Sequence, residues 1–329
     1  MDRGPIFLAG IERSGTSLMY ALLASHPNIA MTRRTNLWRY FYNQYGDLRD
    51  EANFERCLSA MLRYKRLIKL QPDEERIRRE FWEGQPCYAR LFSLLEEHHA
   101  ERLGKARWGD KSLNTEHYID AIFTAYPSAR VIHMLRDPRD RYASAITRWK
   151  KIRGRVGTGA ARWRKSIELA QRNAERYPDR YLLVRYESLV EAPETMLRQI
   201  CAFIDEPYTP VMLTMEGAPT HRNKGGNSSY GKGKPGQIST GSIGRFRQVL
   251  SPRDLAFMQA YVGREMRAYG YTPEPLQLSL VDRALLLGVD WPAHLARIAA
   301  WHVLEAFRNR MGRAPAAHTI VPTAHPTHA

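Results

Sequence analysis

A short apolar run, Pro5 to Ala9, stops at a glycine, and the residues after it read Gly10-Ile11-Glu12-Arg13-Ser14-Gly15-Thr16-Ser17. From Ser17 to Ser25 the apolar residues Leu18, Leu22 and Leu23 fall at helical spacing. The chain therefore begins as buried strand, glycine-bearing turn, helix. Glycines at 10 and 15 let backbone N–H groups approach an anion, and the helix start adds unpaired N–H groups and partial positive charge. The Thr16 and Ser17 hydroxyls can donate as well. A triphosphate-binding loop requires lysine directly after the second glycine, where this chain has Thr16, and the cation sits earlier, at Arg13. The loop is laid out for a terminal anion without the metal-triphosphate apparatus.

The same alternation returns twice. Arg130–Leu135 (RVIHML) is a second apolar run, followed by Arg136-Asp137-Pro138 and a helix to about Lys151. Asp137 suits the N-cap of that helix and Pro138 its first turn. Tyr181–Arg185 (YLLVR) is a third, followed by Tyr186-Glu187-Ser188 and a helix from Pro193. Short strands alternating with helices predict an α/β fold with a parallel sheet flanked by helices. Between Asn36 and about Leu103 the pattern is helical, with Trp38, Tyr40, Phe41, Tyr42 and Tyr45 clustered; they suit core packing or an acceptor-pocket wall. Asn223–Gly244, rich in Gly, Ser and Lys, reads as one long loop. Helical periodicity resumes from Pro252 to Tyr269. The expected division is a main domain over 1–272, a helical C-terminal appendage over 273–313, and a Pro/Ala/Thr/His-rich tail over 314–329 without structure of its own.

Composition narrows the partners. The 329 residues carry a formal charge of +16, which suits an anionic ligand. Lys and Arg are scattered over many helices with no recognised nucleic-acid motif, so nucleic acid is not the expected partner. Cys57, Cys87 and Cys201 lie far apart and outside any CxxC pattern, which implies neither a disulfide framework nor a zinc site. Met1-Asp2-Arg3-Gly4 leads straight into the first strand, with no secretory apolar region after it, so a cytoplasmic setting is expected. No apolar run reaches the roughly 18 residues of a spanning helix. The segment 276–311 still holds Leu285, Leu286, Leu287, Val289 and Trp291 among Arg283, Arg297, Arg308 and Arg310. Two readings stand: a helix packed on the main domain, or an interfacial helix at an anionic membrane.

Glu12-Arg13-Ser14-Gly15-Thr16-Ser17 after a strand is similar to the 5′-phosphosulfate loop of sulfotransferases that use 3′-phosphoadenosine 5′-phosphosulfate (PAPS). Arg136-Asp137-Pro138-Arg139-Asp140 with Ser144 and Arg148 resembles that family's 3′-phosphate site, and Arg148 falls one helical turn after Ser144. Three further segments agree: Trp108-Gly109-Asp110-Lys111-Ser112, a turn in the family; Val184 to Leu189, with Tyr186 near the nucleotide; and Gly241-Ser242-Ile243-Gly244-Arg245-Phe246, a loop closing over the 3′-phosphate. The chain is identified by these five elements, in family order, as a member of the PAPS-dependent sulfotransferases, nearer the tyrosylprotein and bacterial branches than the cytosolic phenol and steroid branch. The resemblance implies a P-loop-containing nucleotide-binding fold and transfer of a sulfuryl group to a hydroxyl or amine, with 3′-phosphoadenosine 5′-phosphate (PAP) as product and no metal.

On that reading Arg13 serves the bridging and leaving oxygens and Lys111 the sulfuryl oxygens. The backbone N–H groups of Ser14, Gly15, Thr16 and Ser17 hold the 5′-phosphate. Arg136, Ser144, Arg148, Tyr186, Gly244 and Arg245 complete the nucleotide site. The base is the weak element: where many relatives carry a glutamate, this chain has Arg34, within Arg33-Arg34-Thr35-Asn36. Glu12 and Asp110 are the nearest acids, each equally suited to a salt bridge. His133, inside an apolar strand, reads as a core histidine, and His26 as the end of a helix. The acceptor class stays open among a small molecule, a sugar, a lipid-linked group and a peptide, and the Arg33-Arg34 pair favours an anionic or sugar-like one. The alternatives are a kinase-like phosphotransferase of the same loop class and a catalytically degenerate nucleotide-binding protein.

Overall fold

The computed structural model describes residues 3–223, 234–310, 315 and 317–321. Strand β1 (Ile6–Ala9) is buried along its whole length and ends at Gly10, from which the loop leads into α1 (Thr16–Ala24). After β2 (Ile29–Arg33) a helical block follows: α2 (Leu37–Tyr40), α3 (Glu51–Leu62), α4 (Lys65–Ile68), α5 (Glu74–Glu83) and α6 (Tyr88–Arg102). Asp50 and Asp73 start α3 and α5 by accepting hydrogen bonds from Asn53 N and Arg76 N. Strand β3 (Arg107–Lys111), α7 (Ile119–Ala125), β4 (Arg130–Leu135), α8 (Pro138–Arg148) and α9 (Val156–Arg176) come next. Asp137 caps α8 by accepting from Arg139 N at 2.8 Å, with Pro138 in its first turn, as the sequence predicts. Then come β5 (Tyr181–Arg185), α10 (Tyr186–Glu191), α11 (Pro193–Phe203), α12 (Pro219–Arg222), α13 (Phe246–Val249) and α14 (Pro252–Ala268). The appendage is α15 (Leu280–Leu285), a five-residue π turn (Leu286–Asp290), and α16 (Trp291–Arg310).

The five strands form one parallel sheet in the order β2-β3-β1-β4-β5. Register sets Phe7 beside Asp110 and Val131, Arg33 beside Lys111, and Leu135 beside Arg185. Alternation along the strands sorts the core. Phe7, Ala9, Trp108 and Val131 face the helical block, while Ile6, Leu8, Ile132 and Met134 face α1 and α11. A third core joins Tyr142, Trp163, Phe246, Phe257 and Ile298 of α8, α9, α13, α14 and α16. Because β1 is central and its neighbours are reached in opposite directions along the chain, the carboxyl ends of β3, β1 and β4 open onto one crevice.

Several expectations change. The sequence reading found three strands; β2 and β3 complete the sheet, and Trp108-Gly109-Asp110-Lys111 is strand rather than turn. The aromatic cluster belongs to the core: Trp38 and Phe41 are buried, and Tyr40, Tyr42 and Tyr45 pack against them. The expected loop over Asn223–Gly244 lies partly outside the described residues, which resume at Lys234. The tail expected to lack structure contains a 3-10 turn, Ala317–Thr319, after which Ile320 bridges Tyr64 in antiparallel register and Val321 N donates to Arg63 O. His133 is the core histidine expected: it meets Tyr181 Oη at 2.6 Å, and burial pulls its pKa down to about 3. His26 joins the end of α1 to Pro207 O at 2.8 Å.

Candidate active site

The loop after β1 takes its shape from its glycines. Gly10 has φ +119°, and a Cβ there would lie 2.7 Å from Met134 O; Gly15 has φ +94°, and its Cβ would lie 2.4 Å from the Tyr186 ring. Arg13 also adopts positive φ, at 73°. Helix α1 starts at Gly15 with no side-chain cap and no acid in its first turn, so its leading amides face the loop uncompensated. Ser14 Oγ is buried there with no hydrogen-bond partner among the described residues. An anion seated in the loop would satisfy these donors together.

The second candidate cluster lies against the first. Arg13 Nε donates to Ser144 Oγ at 2.9 Å. Arg136, at the end of β4, donates through Nη1 to Arg13 O and through Nη2 to Ser242 O, both at 3.0 Å. Its guanidinium lies 4.3 Å over the Tyr186 ring, whose hydroxyl meets Ser242 Oγ at 2.8 Å. Asp140 is not the ion-pair partner of Arg136. It accepts instead from Gly244 N at 2.7 Å and Phe246 N at 2.9 Å, which holds the Gly244-Arg245 turn beside α8. Ser144 is buried on that helix, and Arg148 is exposed at its last residue.

Lys111 closes the third side. It ends β3, and Arg34 N donates to its carbonyl at 2.9 Å. Burial pulls its ammonium down to about 8, Arg34, Arg33 and Arg13 push the same way, and Asp110 opposes them. Arg34 is itself lowered, by burial first and then by Arg66, Arg33 and Arg148. Cationic side chains therefore crowd the crevice around Lys111.

Neither acid named from the sequence is placed as a free base. Asp110 lies on the face of β3 opposite Lys111, where Oδ1 accepts from Thr35 Oγ1 at 2.8 Å; Thr32 Oγ1 sits 3.1 Å from it and 3.0 Å from Glu96 Oε1. Burial raises both carboxyls, Glu96 well above its ordinary value, with Asp110 adding to that shift. Burial would also raise Glu12, but Arg141 at 2.5 Å and Arg162 at 2.8 Å outweigh it and hold Glu12 below the usual range. The acid that sequence reasoning missed is Glu116. It is buried, accepts from Gly10 N at 3.5 Å, and is raised by burial. It belongs to no run, repeat or motif that could have marked it.

A cavity of about 740 Å³ opens beside the loop. The residues just before Arg13 and just after Lys111 form part of its wall (Gly10 to Glu12, then Leu113 and Asn114), along with Glu116. Arg39, His117, Arg141, Tyr142, Ile152, Arg155, α9 and one side of α16 make up the rest.

The model of the sulfotransferase family matches residues 5–210. Protein-tyrosine sulfotransferase 1 of Danio rerio is 25% identical over 270 residues, covering 80% of this chain and 67% of that protein. The protein-tyrosine sulfotransferase of Drosophila melanogaster is 26% identical over 266 residues, covering 79% of this chain and 47% of that protein. The chain thus spans about two thirds of the first relative and about half of the second. Among solved structures, the sulfotransferase domain of the Synechococcus PCC 7002 olefin synthase superposes with a TM-score of 0.52 at 20% identity, covering 79% of this chain and 94% of that one. The curated relatives are of the tyrosylprotein kind to which the sequence motifs point, and the structural likeness is one of fold.

Proposed function

This chain belongs to the sulfotransferase family, and we propose that it moves a sulfuryl group from PAPS to a hydroxyl of an acceptor seated in the cavity beside Glu116. The observation that carries the reading is the joint between two anion seats: Arg13 bonds Ser144, and Arg136 bonds the Arg13 carbonyl. A ligand with a 5′-phosphosulfate and a separate 3′-phosphate fits two such seats placed back to back. The orphaned Ser14 hydroxyl and the uncapped α1 fit the first end. The guanidinium of Arg136, with Ser144 joined to it through Arg13 and the Gly244-Arg245 turn held on α8 by Asp140, fits the second.

PAPS supplies an activated sulfuryl group. The acceptor oxygen forms a bond to sulfur while the bond from sulfur to the bridging phosphate oxygen breaks, and the electron pair leaves with PAP. The transition state is taken as loose, so positioning and charge carry catalysis. Arg13 neutralises the leaving oxygen and Lys111 the sulfuryl oxygens, while the amides of Ser14 to Ser17 hold the 5′-phosphate. Glu116, the cavity-lining acid that burial raises, accepts the proton of the acceptor hydroxyl. The arginines around Lys111 favour an acceptor with anionic groups, on a sugar or a peptide. Named relatives of both kinds exist, including mouse carbohydrate sulfotransferase 3, 27% identical over 177 residues, covering 48% of this chain and 37% of that protein.

Calorimetry with PAP, with and without magnesium and against ATP as competitor, tests the reading. Metal-independent binding is expected, weakened roughly a hundredfold by Arg136→Ala, the scale of two charge-assisted hydrogen bonds. A preference for magnesium-ATP would overturn it. Replacing Glu116 by Gln should cost roughly 10²-fold or more in kcat and remove the acidic limb of the pH–rate profile, with PAP affinity kept.

A further inference from the structure

Helix α16 carries apolar residues on two of its sides, alongside Arg297, His302 and Glu305. One side packs on the domain: Ile298 is buried in the third core, Trp291 and Trp301 pack against that core, and His294 is buried against Phe257. The other side carries two i,i+4 stripes, Pro292-Ala296-Ala300-Leu304 and Leu295-Ala299-Val303-Phe307, all exposed and all without charge. Val303 is 69% and Phe307 60% exposed. Further exposed apolar residues stand on α15 and the π turn, where Leu280 is 83%, Val281 68% and Leu287 68% exposed, with Arg283 exposed among them. Single exposed leucines are ordinary, but so many exposed apolar residues along two joined helices are not. An outward helix face this apolar calls for apolar cover.

What lies beside that face identifies its occupant. Arg297 Nη1 donates to Gly154 O at 2.9 Å, which ties α16 to the turn Trp149-Lys150-Lys151-Ile152-Arg153-Gly154-Arg155. Lys150, Lys151, Arg153 and Arg155 are exposed, Trp149 is 38% exposed, and the turn contains no acid. Of the acids on α15, the π turn and α16, Asp290 pairs with Arg253, Asp282 bonds Ser279, and Glu305 lines the cavity on the other side of the helix. An apolar helix flanked by a basic turn with an interfacial tryptophan has the chemistry of a bilayer surface rich in anionic headgroups. A second copy of the chain would set one basic turn close to another. No described helix is long and apolar enough to cross a membrane, so contact would lie in the interface plane.

We infer that α15 and α16 seat this protein on an anionic bilayer, with the apolar stripes in the headgroup boundary and the Lys150–Arg155 turn on the headgroups. Because the opposite side of α16 walls the cavity, docking would bring the cavity close to the lipid surface. The test is flotation of the full chain with vesicles of phosphatidylcholine alone and of phosphatidylcholine with phosphatidylglycerol. Binding to the anionic vesicles is expected, weakening with salt and falling roughly fivefold for each basic charge removed. Lys150→Glu with Lys151→Glu should therefore reduce it more than tenfold, and Val303→Asp with Phe307→Asp should abolish it. Leu280→Ser with Val281→Ser, at side chains that touch little, serves as a second apolar variant should the first misfold. Calorimetric PAP binding shows that each variant is folded and keeps this result separate from the nucleotide assignment. Equal flotation of wild type and variants would overturn the inference. So would a concentration-dependent dimer, seen by sedimentation, that the Val303 and Phe307 changes dissociate while wild type ignores vesicles.

Discussion

A methyl group at position 15 would meet the Tyr186 ring 2.4 Å away, on a backbone at φ +94°. Gly15→Ala should cost about 1–3 kcal/mol of stability, and should lower PAP affinity because the loop and Tyr186 must part. Thermal melts and calorimetry read the two effects. Lys111 gives a pH signature. With its free-enzyme value near 8, a bound anion holds the proton on, so PAP affinity should fall as pH rises through about 8. Lys111→Met should lose that step and roughly 10²–10³ in kcat. These two residues were legible in the sequence because glycine spacing and the strand-end lysine belong to recognisable motifs. Glu116 was not, since its interest comes only from burial and from contact with Gly10, a residue 106 positions away. Asp110 and Glu12 stayed open in the sequence, as base or as salt-bridge partner, for the converse reason. Adjacency in sequence to Lys111 and Arg13 says nothing about which face a strand side chain takes, or which arginines a loop carboxylate meets.

Among elements, β3 is the clearest case of a strand hidden from pattern reading. Arg107-Trp108-Gly109-Asp110-Lys111 holds one large apolar residue, yet all five positions are buried. Its polar groups are matched: Arg107 donates from Nε to Gly4 O at 2.6 Å and pairs with Glu206, while Asp110 joins Thr32 and Thr35. Hydropathy cannot see polar partners supplied from distant segments, whereas β1, β4 and β5 announce themselves through their apolar runs. The Thr32 network also shapes stability. A folded-state pKa raised for Glu96 means that the native chain binds the extra proton, so stability should fall as pH rises from 4.5 through the raised value. His133 has the opposite sign: lowered from 6.5 to about 3, it favours the native state increasingly as pH climbs through that window. Denaturant titrations across pH on Glu96→Gln should show a shallower descending slope, the part due to Asp110 and Glu116 remaining, and keep the rising one.

Across the whole molecule, the terminal strap at Ile320 was not readable in the sequence, because one bridge to Tyr64 leaves no pattern. Tyr64 also donates to Arg34 O at 3.2 Å, so the strap ends next to the crevice. Removing residues 314–329 should therefore shift acceptor KM while leaving PAP affinity unchanged, which steady-state kinetics would show. The candidate nucleotide site has a different property on this scale: it is almost entirely non-local. Arg13 and Ser144 are 131 positions apart, Arg136 and Ser242 are 106, and Asp140 and Gly244 are 104. A chain growing from its N-terminus must emerge past Phe246 before Arg136 and Asp140 can find these partners. On the proposed reading the nucleotide would therefore stabilise only a polypeptide that extends past Phe246, and cellular PAP or PAPS would rescue a destabilised variant of this chain but not a fragment that stops short of the turn.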